Sequence, residues 1–198
     1  MQHQALRPTS SNSLLGALAW AMAAMCGPAA AEPASGFSAL MSILAPQPGA
    51  KACYVRSYDA AHLRAHPKQR ITAMKFLLGV KAYDPKTADK TGPDDLYYYT
   101  FSMSVARRGD KRLLTTAGDC QGGEGISCVV DCDGGSVALD KMPPADSLIV
   151  RLNDHGIQMF HDCDGGPVVW VKAGVDDKVF RLNKAAGDAC KALDEPEE

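Results

Sequence analysis

The string Asp-Cys-Asp-Gly-Gly occurs twice in the chain, at 131–135 and 162–166. Two aspartates at alternate positions before a glycine match the start of a calcium loop, in which carboxylate oxygens coordinate the ion. Such a loop also needs a third oxygen ligand two residues on and a glutamate at its twelfth position, and neither copy has them. A calcium site therefore requires the two copies to meet, with the ligands Asp131, Asp133, Asp162 and Asp164.

A structural interpretation accounts for more of the string. Successive side chains of a strand point to opposite faces, so Cys132 would face inward while Asp131 and Asp133 face water. Gly134 and Gly135 would then form a tight turn. We therefore expect DCDGG to end a strand and begin a hairpin rather than to hold a metal.

The histidines offer two other sites. His62 and His66 are four residues apart and would share one face of a helix, where they could bind zinc or copper with Asp59 one turn back. A solvated helix end is the alternative, because His66 precedes a proline. His161 lies two residues before Cys163 and would share its strand face, which allows a Cys–His nucleophilic pair. The alternative is an exposed histidine beside a disulfide-bonded cysteine.

Aromatic residues provide a candidate ligand site. In LYYYTF (96–101), Tyr97 and Tyr99 share one strand face, and with Trp170 they could line a barrel mouth that holds a sugar or an apolar ligand. The alternative is that the tyrosines cover a sheet as ordinary strand residues and that Trp170 belongs to the core.

The cysteines indicate a disulfide framework. Residues 1–31 have the pattern of a secretory signal peptide, with a charge-free apolar run at 14–25 and alanines at 29–31. Cleavage there predicts a periplasmic or extracellular protein and removes Cys26. Six cysteines remain, and an even number in an exported chain favours disulfides. Local proximity and elimination give three pairs, Cys120–Cys128, Cys132–Cys163 and Cys53–Cys190.

Charge and hydropathy limit the partners. The mature chain of 167 residues has 20 basic and 23 acidic residues, a net charge of −3. This near-neutral balance argues against nucleic acid or an anionic membrane as the main partner. No stretch of the mature chain is apolar for long enough to span a bilayer.

The periodicity predicts a mainly β fold. Residues 37–44 and 60–66 have helical spacing within an amino-terminal segment, 32–70. Eight or nine short antiparallel strands follow at 71–184, interrupted by a polar loop at 81–95, and a tail at 185–198 begins with a helical turn. These strands predict a barrel or a sandwich. Their number and shortness resemble calycin-like barrels such as lipocalins, although the sequence motifs of that group are absent.

These observations leave three functional hypotheses. The first is a non-enzymatic exported binding or interaction protein, with a small ligand in the barrel mouth or a protein partner at loop 81–95. It needs no cofactor. The second is a protein that binds calcium through the DCDGG aspartates, or zinc or copper through His62 and His66. The third is an enzyme in which His161 assists an unpaired cysteine.

Overall fold

Eight antiparallel strands close into a barrel, and a ninth strand pairs outside the ring. The computed structural model describes residues 36–83, 97–142, 146–159 and 168–194. Within them the barrel strands are β1 (Lys51–Ser57), β2 (Ile71–Ala82), β3 (Tyr97–Arg107), β4 (Leu113–Gly122), β5 (Ile126–Val129), β6 (Gly135–Met142), β7 (Ser147–Met159) and β9 (Val179–Ala185). The short strand β8 (Val169–Val171) pairs with the far end of β7.

The strand order follows the chain for most of the ring. Neighbours run β6-β5-β4-β3-β2-β1-β9-β7, and pairing of β6 with β7 closes the barrel. Short hairpin turns join β3 to β4, β4 to β5 and β5 to β6, whereas the connection from β1 to β2 contains a helix, Ala60–Ala65. The mainly β, antiparallel architecture is therefore confirmed, and of the two predicted forms it is the barrel.

Two strands differ from the sequence prediction. Strand β1 lies within the segment 32–70, which was expected to contain only helices, and it joins β2 to β9. Cys53 and Tyr54 are both buried, so KACYVRS lacks the alternation of a strand with one solvent-exposed face.

The second difference concerns β7. The runs 147–154 and 156–163 were expected as separate strands, but 147–159 is continuous. The register shift between Gly135 and Val137 of β6 leaves residues 153–156 as a bulge on β7.

The two predicted amino-terminal helices are present. Helix α1 (Gly36–Ile43) packs against β4, β5 and β6 and buries Leu40 and Ile43, so it closes one end of the barrel. Helix α2 (Ala60–Ala65) begins after Asp59, whose carboxylate accepts a hydrogen bond from the His62 amide at 2.7 Å. That contact satisfies one of the free amides of the first turn.

Apolar side chains fill the barrel interior. The alternation seen in β3 points Phe101, Met103 and Val105 inward, and each is at most 1% exposed. Rings from neighbouring strands stack there, with Phe76 and Phe101 centroids 5.4 Å apart. The buried set continues round the ring from β1 to β9 and includes Cys120 and Cys128. The barrel therefore has a packed core where a calycin-like fold would place a ligand.

The carboxyl-terminal segment packs on the outside of the barrel. A short 3₁₀ helix (Gly187–Cys190) leads into α3 (Lys191–Asp194), as the predicted helical turn anticipated. The Cys53–Cys190 disulfide ties the segment to β1, with the Cα atoms 5.8 Å apart. These cysteines and Leu77 form a second apolar cluster. The segment is thus fixed to the outer face of β1 and β2.

The first DCDGG string forms the β5–β6 turn. Cys132 and Asp133 occupy the two central positions with φ of 54° and 62°, and the Gly134 amide donates to the Asp131 carbonyl at 3.0 Å. Positive φ at both central residues is the signature of a type I′ hairpin turn. The hairpin was predicted, but the expected turn at Gly134 and Gly135 was wrong, as was the placement of Cys132 inward on a strand. The strand ends at Val129, and the cysteine is an exposed turn residue.

Candidate functional site

The barrel mouth does not hold the predicted aromatic site. The Phe37 ring of α1 lies against Tyr97 and Tyr99, with centroid distances of 6.0 and 6.3 Å. Tyr99 is 2% exposed, and its hydroxyl donates to the Leu44 carbonyl at 2.8 Å. Burial raises the pKa of Tyr99 to about 12. Tyr99 therefore holds α1 in place, in the position where a ligand was expected.

Trp170 lies elsewhere. It is 38% exposed on β8, and the Lys172 ammonium lies 5.4 Å from its ring centroid. The expectation that Trp170 belongs to the core is wrong, because β8 pairs outside the closed ring. Its ring borders Gly135, at the start of β6, rather than the tyrosines of β3.

A groove on the outer face of β2, β3 and β4 has the features of a ligand site. It encloses about 720 Å³, and α3 forms one wall. The floor consists of outward residues that the register sets side by side: Gly79, Thr100 and Asp119 form one row, and Leu77, Ser102 and Ala117 form the next. Gly79 gives the groove depth, since a Cβ there would lie 3.0 Å from the Thr100 hydroxyl oxygen.

The floor presents hydrogen-bonding groups that the protein leaves free. Within the described residues, the side chains of Thr100, Ser102, Thr115 and Asp119 have no hydrogen-bond partner, although all of them line the groove. Burial raises the pKa of Asp119, the nearby Asp131 raises it further, and Lys81 opposes them. A carboxylate in a cleft with a perturbed pKa and no hydrogen-bond partner is a candidate binding residue.

The remaining walls supply an aromatic surface and balanced charge. Tyr98 lines the groove, and its ring lies 4.7 Å from that of Tyr83. The charged lining residues are two lysines and two aspartates, Lys51, Lys81, Asp119 and Asp194, of which Lys51 and Asp194 form an ion pair. The groove is therefore neutral overall, and five of its 17 lining residues carry a hydroxyl group.

The carboxyl-terminal wall is held at several points besides the disulfide. The Lys75 ammonium donates to the Ala189 carbonyl at 2.7 Å, and Leu193 packs on the apolar cluster of Cys53, Leu77 and Cys190. A smaller cavity of about 290 Å³ lies along the same segment and shares Lys51, Leu77 and Asp194 with the groove.

The predicted metal ligands are only partly described. Asp131 and Asp133 are exposed on the β5–β6 turn, whereas Asp162 and Asp164 lie outside the described residues. His62 and His66 do share a face, but their rings stack 4.4 Å apart, and the His62 Nε2 atom meets the Gln69 amide oxygen at 3.0 Å. In the described part of the chain, no group of three or more histidines, cysteines or acidic residues could hold a metal ion.

The cysteines form disulfides wherever the structure describes them. The predicted pairs Cys53–Cys190 and Cys120–Cys128 are present, the second as directly opposed residues of β4 and β5. Cys132 is disulfide-bonded as well. Its predicted partner Cys163 and the neighbouring His161 lie outside the described residues. A free thiol for the enzyme hypothesis is therefore not found among the described cysteines.

The groove was not predicted from the sequence, although its floor residues alternate with the residues of the core along the same strands. In TFSMSV (100–105) the apolar residues alternate with Thr100, Ser102 and Ser104, a pattern that by itself predicts only a solvent-exposed face opposite the core. Asp119 lies beside Cys120 in a run of small residues, TTAGDC, that carries no motif. The signal was the unusual abundance of hydroxyl and small side chains on one strand face.

The fold and the site together define a closed, disulfide-linked β-barrel protein with a groove on its outer wall. Comparison with family models, with curated proteins and with solved structures gave no match. None of the helices among the described residues is long and apolar enough to cross a membrane.

Proposed function

We propose that this protein is an exported, non-enzymatic binding protein and that the outer groove holds a neutral, hydroxyl-rich ligand, a mono- or oligosaccharide. The observation that carries the proposal is the floor of side-chain hydroxyls and the Asp119 carboxylate, none of which has a hydrogen-bond partner within the described residues. Disulfide bonding of every described cysteine supports an oxidising, exported location.

The chemistry of the floor fits a sugar. Threonine and serine hydroxyls both donate and accept, and a carboxylate accepts from two neighbouring sugar hydroxyls. Tyr98 offers a ring face at the edge of the floor on which the apolar side of a pyranose can stack. The lining charges sum to zero, which favours an uncharged ligand over an anion or a cation.

The groove favours binding over catalysis. Its lining residues include the single unpaired carboxylate Asp119 and neither a histidine nor a cysteine, while Asp194 is engaged by Lys51. General acid–base chemistry on a glycosidic bond uses two carboxylates on either side of that bond. A single carboxylate surrounded by hydroxyl groups is instead typical of a site that binds a ligand without chemical change.

A glycan array probed with the purified protein, followed by calorimetric titration of the best saccharide, tests the proposal. We expect Asp119→Asn to weaken that saccharide about tenfold or more, since a hydrogen bond to a charged group contributes roughly 1.5–3 kcal/mol. We expect Tyr98→Ala to weaken it about fivefold through the lost stacking. The matched control is Asp154→Asn on the β7 bulge, an exposed acid away from the groove, which keeps full affinity.

The thermal stability of Asp119→Asn shows whether a loss of affinity in that variant comes from misfolding. Because the folded-state pKa of Asp119 lies above its ordinary value near 3.8, the native state binds this proton more tightly than the unfolded state. Stability therefore falls as pH rises through the window above that value. Asp119→Asn removes this loss, so the variant should unfold at a higher temperature than the wild type at pH 7, with little difference at pH 3. Lost affinity in a more stable protein cannot be misfolding. An array without saccharide binding, or groove variants with unchanged affinity, would refute the proposal.

A further inference from the structure

One end of the barrel concentrates positive charge. Residues 56–70 and 106–112, called here the basic end, contain eight lysines and arginines against two aspartates, a net charge of +6. The whole chain has a net charge of −2, so the rest of the molecule carries −8. The near-neutral total that argued against an anionic partner therefore conceals a strongly polarised surface.

Backbone contacts make the basic end one continuous surface. The Arg108 amide donates to the Arg70 carbonyl at 2.7 Å, and the Arg108 guanidinium donates to the Leu63 carbonyl at 2.9 Å. These bonds join the β3–β4 turn to the α2–β2 connection. The next connection round this end, the β5–β6 turn, carries Asp131 and Asp133, so the cations occupy one side of the rim.

Several of these cations are free to bind a partner. Arg107 and Arg112 are engaged by Asp110, and Arg56 lies over the Tyr58 ring. Four exposed side chains of the basic end have neither an ion pair nor a hydrogen bond within the described residues: Arg64, Lys68, Arg70 and Lys111.

Exposed apolar side chains surround the same end. The three most exposed large hydrophobic residues of the described chain are Val175 at 71%, Leu113 at 50% and Val179 at 49%. Leu113 directly follows Arg112. Val175 and Val179 flank Asp177, whose carboxylate accepts hydrogen bonds from the backbone amides of Arg70 and Ile71. With the segment 175–179 included, this end of the barrel has nine lysines and arginines against four aspartates and keeps a net charge of +5. Cations interspersed with protruding aliphatic tips are the combination that seats a protein on an anionic bilayer.

We propose that the basic end docks peripherally on a membrane surface rich in anionic phospholipids. Arg64, Lys68, Arg70 and Lys111 meet the headgroup phosphates, while Leu113 and Val175 enter the interfacial region. Nucleic acid is the less favoured polyanion, because the rings of Tyr58, His62 and His66 stack on one another at 4.6 and 4.4 Å and leave few faces for bases. The inference does not depend on the saccharide groove.

Co-sedimentation with vesicles of equal parts phosphatidylglycerol and phosphatidylcholine tests the proposal. We expect binding to these vesicles, none to pure phosphatidylcholine, and a steep loss with added salt. The double variant Arg64→Gln/Lys111→Gln should bind about 25-fold more weakly, since each surface cation contributes roughly fivefold. The charge-matched control Lys81→Gln/Lys191→Gln, at exposed lysines outside the basic end, should change binding less than twofold.

Substitution of the exposed apolar residues distinguishes binding to a membrane from binding to a soluble polyanion. Leu113→Ser/Val175→Ser should lower vesicle binding about tenfold through lost apolar burial, while Met142→Ser/Val168→Ser, also at exposed apolar residues, should not. Equal binding to both vesicle types, equal losses in the two charge variants, or unchanged vesicle binding in Leu113→Ser/Val175→Ser would overturn the proposal. Tighter binding to a 20-base-pair DNA duplex than to the anionic vesicles would overturn it too, and would assign the surface to nucleic acid.

Discussion

At the scale of single residues, the DCDGG string is explained by backbone geometry. Cys132 and Asp133 adopt positive φ in the hairpin turn, and the glycines that follow are needed for close packing. A Cβ on Gly135 would lie 2.2 Å from the Gly156 carbonyl oxygen, in a backbone with φ of 77°. In this first copy of the string, Gly135 therefore lets β6 approach the β7 bulge, and Gly134 leaves room for the Val130 side chain within the hairpin.

Substitution of Gly135 tests that explanation. Gly135→Ala should lower the free energy of unfolding by at least about 2 kcal/mol, because both the left-handed backbone and the clash with Gly156 are unfavourable. Gly123→Ala is the matched control, since no atom lies within 4 Å of the added methyl group, and it should change stability by less than about 0.5 kcal/mol. Urea unfolding measures both variants. Equal losses in the two would contradict the explanation.

At the scale of elements, α1 closes one end of a barrel whose interior is filled by its own side chains. It brings Leu40 and Ile43 against the sheet end, and the carbonyl of Leu44, directly after the helix, accepts the Tyr99 hydrogen bond, so the mouth is closed by the protein's own chain. The helix was predictable from its spacing, but the face it buries was not fully so. Met41 shares the apolar stripe in sequence yet is 40% exposed.

The two neighbouring residues of α1 provide a matched test. Leu40→Ala should cost about 2–5 kcal/mol, as expected for a fully buried leucine that leaves a cavity. Met41→Ala, at the exposed position, should cost less than about 1 kcal/mol. Thermal and urea unfolding measure the stability of both variants. Because leucine and methionine have similar helix propensities, the difference between the two losses reports burial. A similar cost at both positions would mean that α1 does not close the barrel as described.

Local patterns predicted the elements well, and long-range packing explains what they missed. The alternation of Phe101, Met103 and Val105 identified the core face of β3. Strand β1 was not predicted because both of its faces are buried. Cys53 is covered by the carboxyl-terminal segment, and Tyr54 faces the core, so its sequence lacks the alternation of a strand with one exposed face. The groove was not predicted because it also depends on long-range packing. Thr100 and Asp119 are 19 residues apart and become neighbours only through the β3–β4 register.

At the scale of the whole molecule, the two fully described disulfides constrain very different lengths of chain. Cys53 and Cys190 are 137 residues apart and enclose nearly the whole barrel, whereas Cys120 and Cys128 are 8 apart and close one hairpin. The first also fixes the wall of the outer groove. Stability and site geometry therefore both depend on the link between the two ends of the fold.

Removing each disulfide in turn tests this dependence. In the chain-entropy view, a link across 137 residues stabilises by about 5 kcal/mol and one across 8 by about half of that. Cys53→Ala/Cys190→Ala should thus lose roughly twice the unfolding free energy lost by Cys120→Ala/Cys128→Ala. It should also accelerate hydrogen exchange of the α3 amides and of Leu77, which the hairpin variant leaves protected. Native exchange rates in α3 after loss of Cys53–Cys190 would mean that Lys51, Lys75 and the apolar cluster hold the wall without the disulfide.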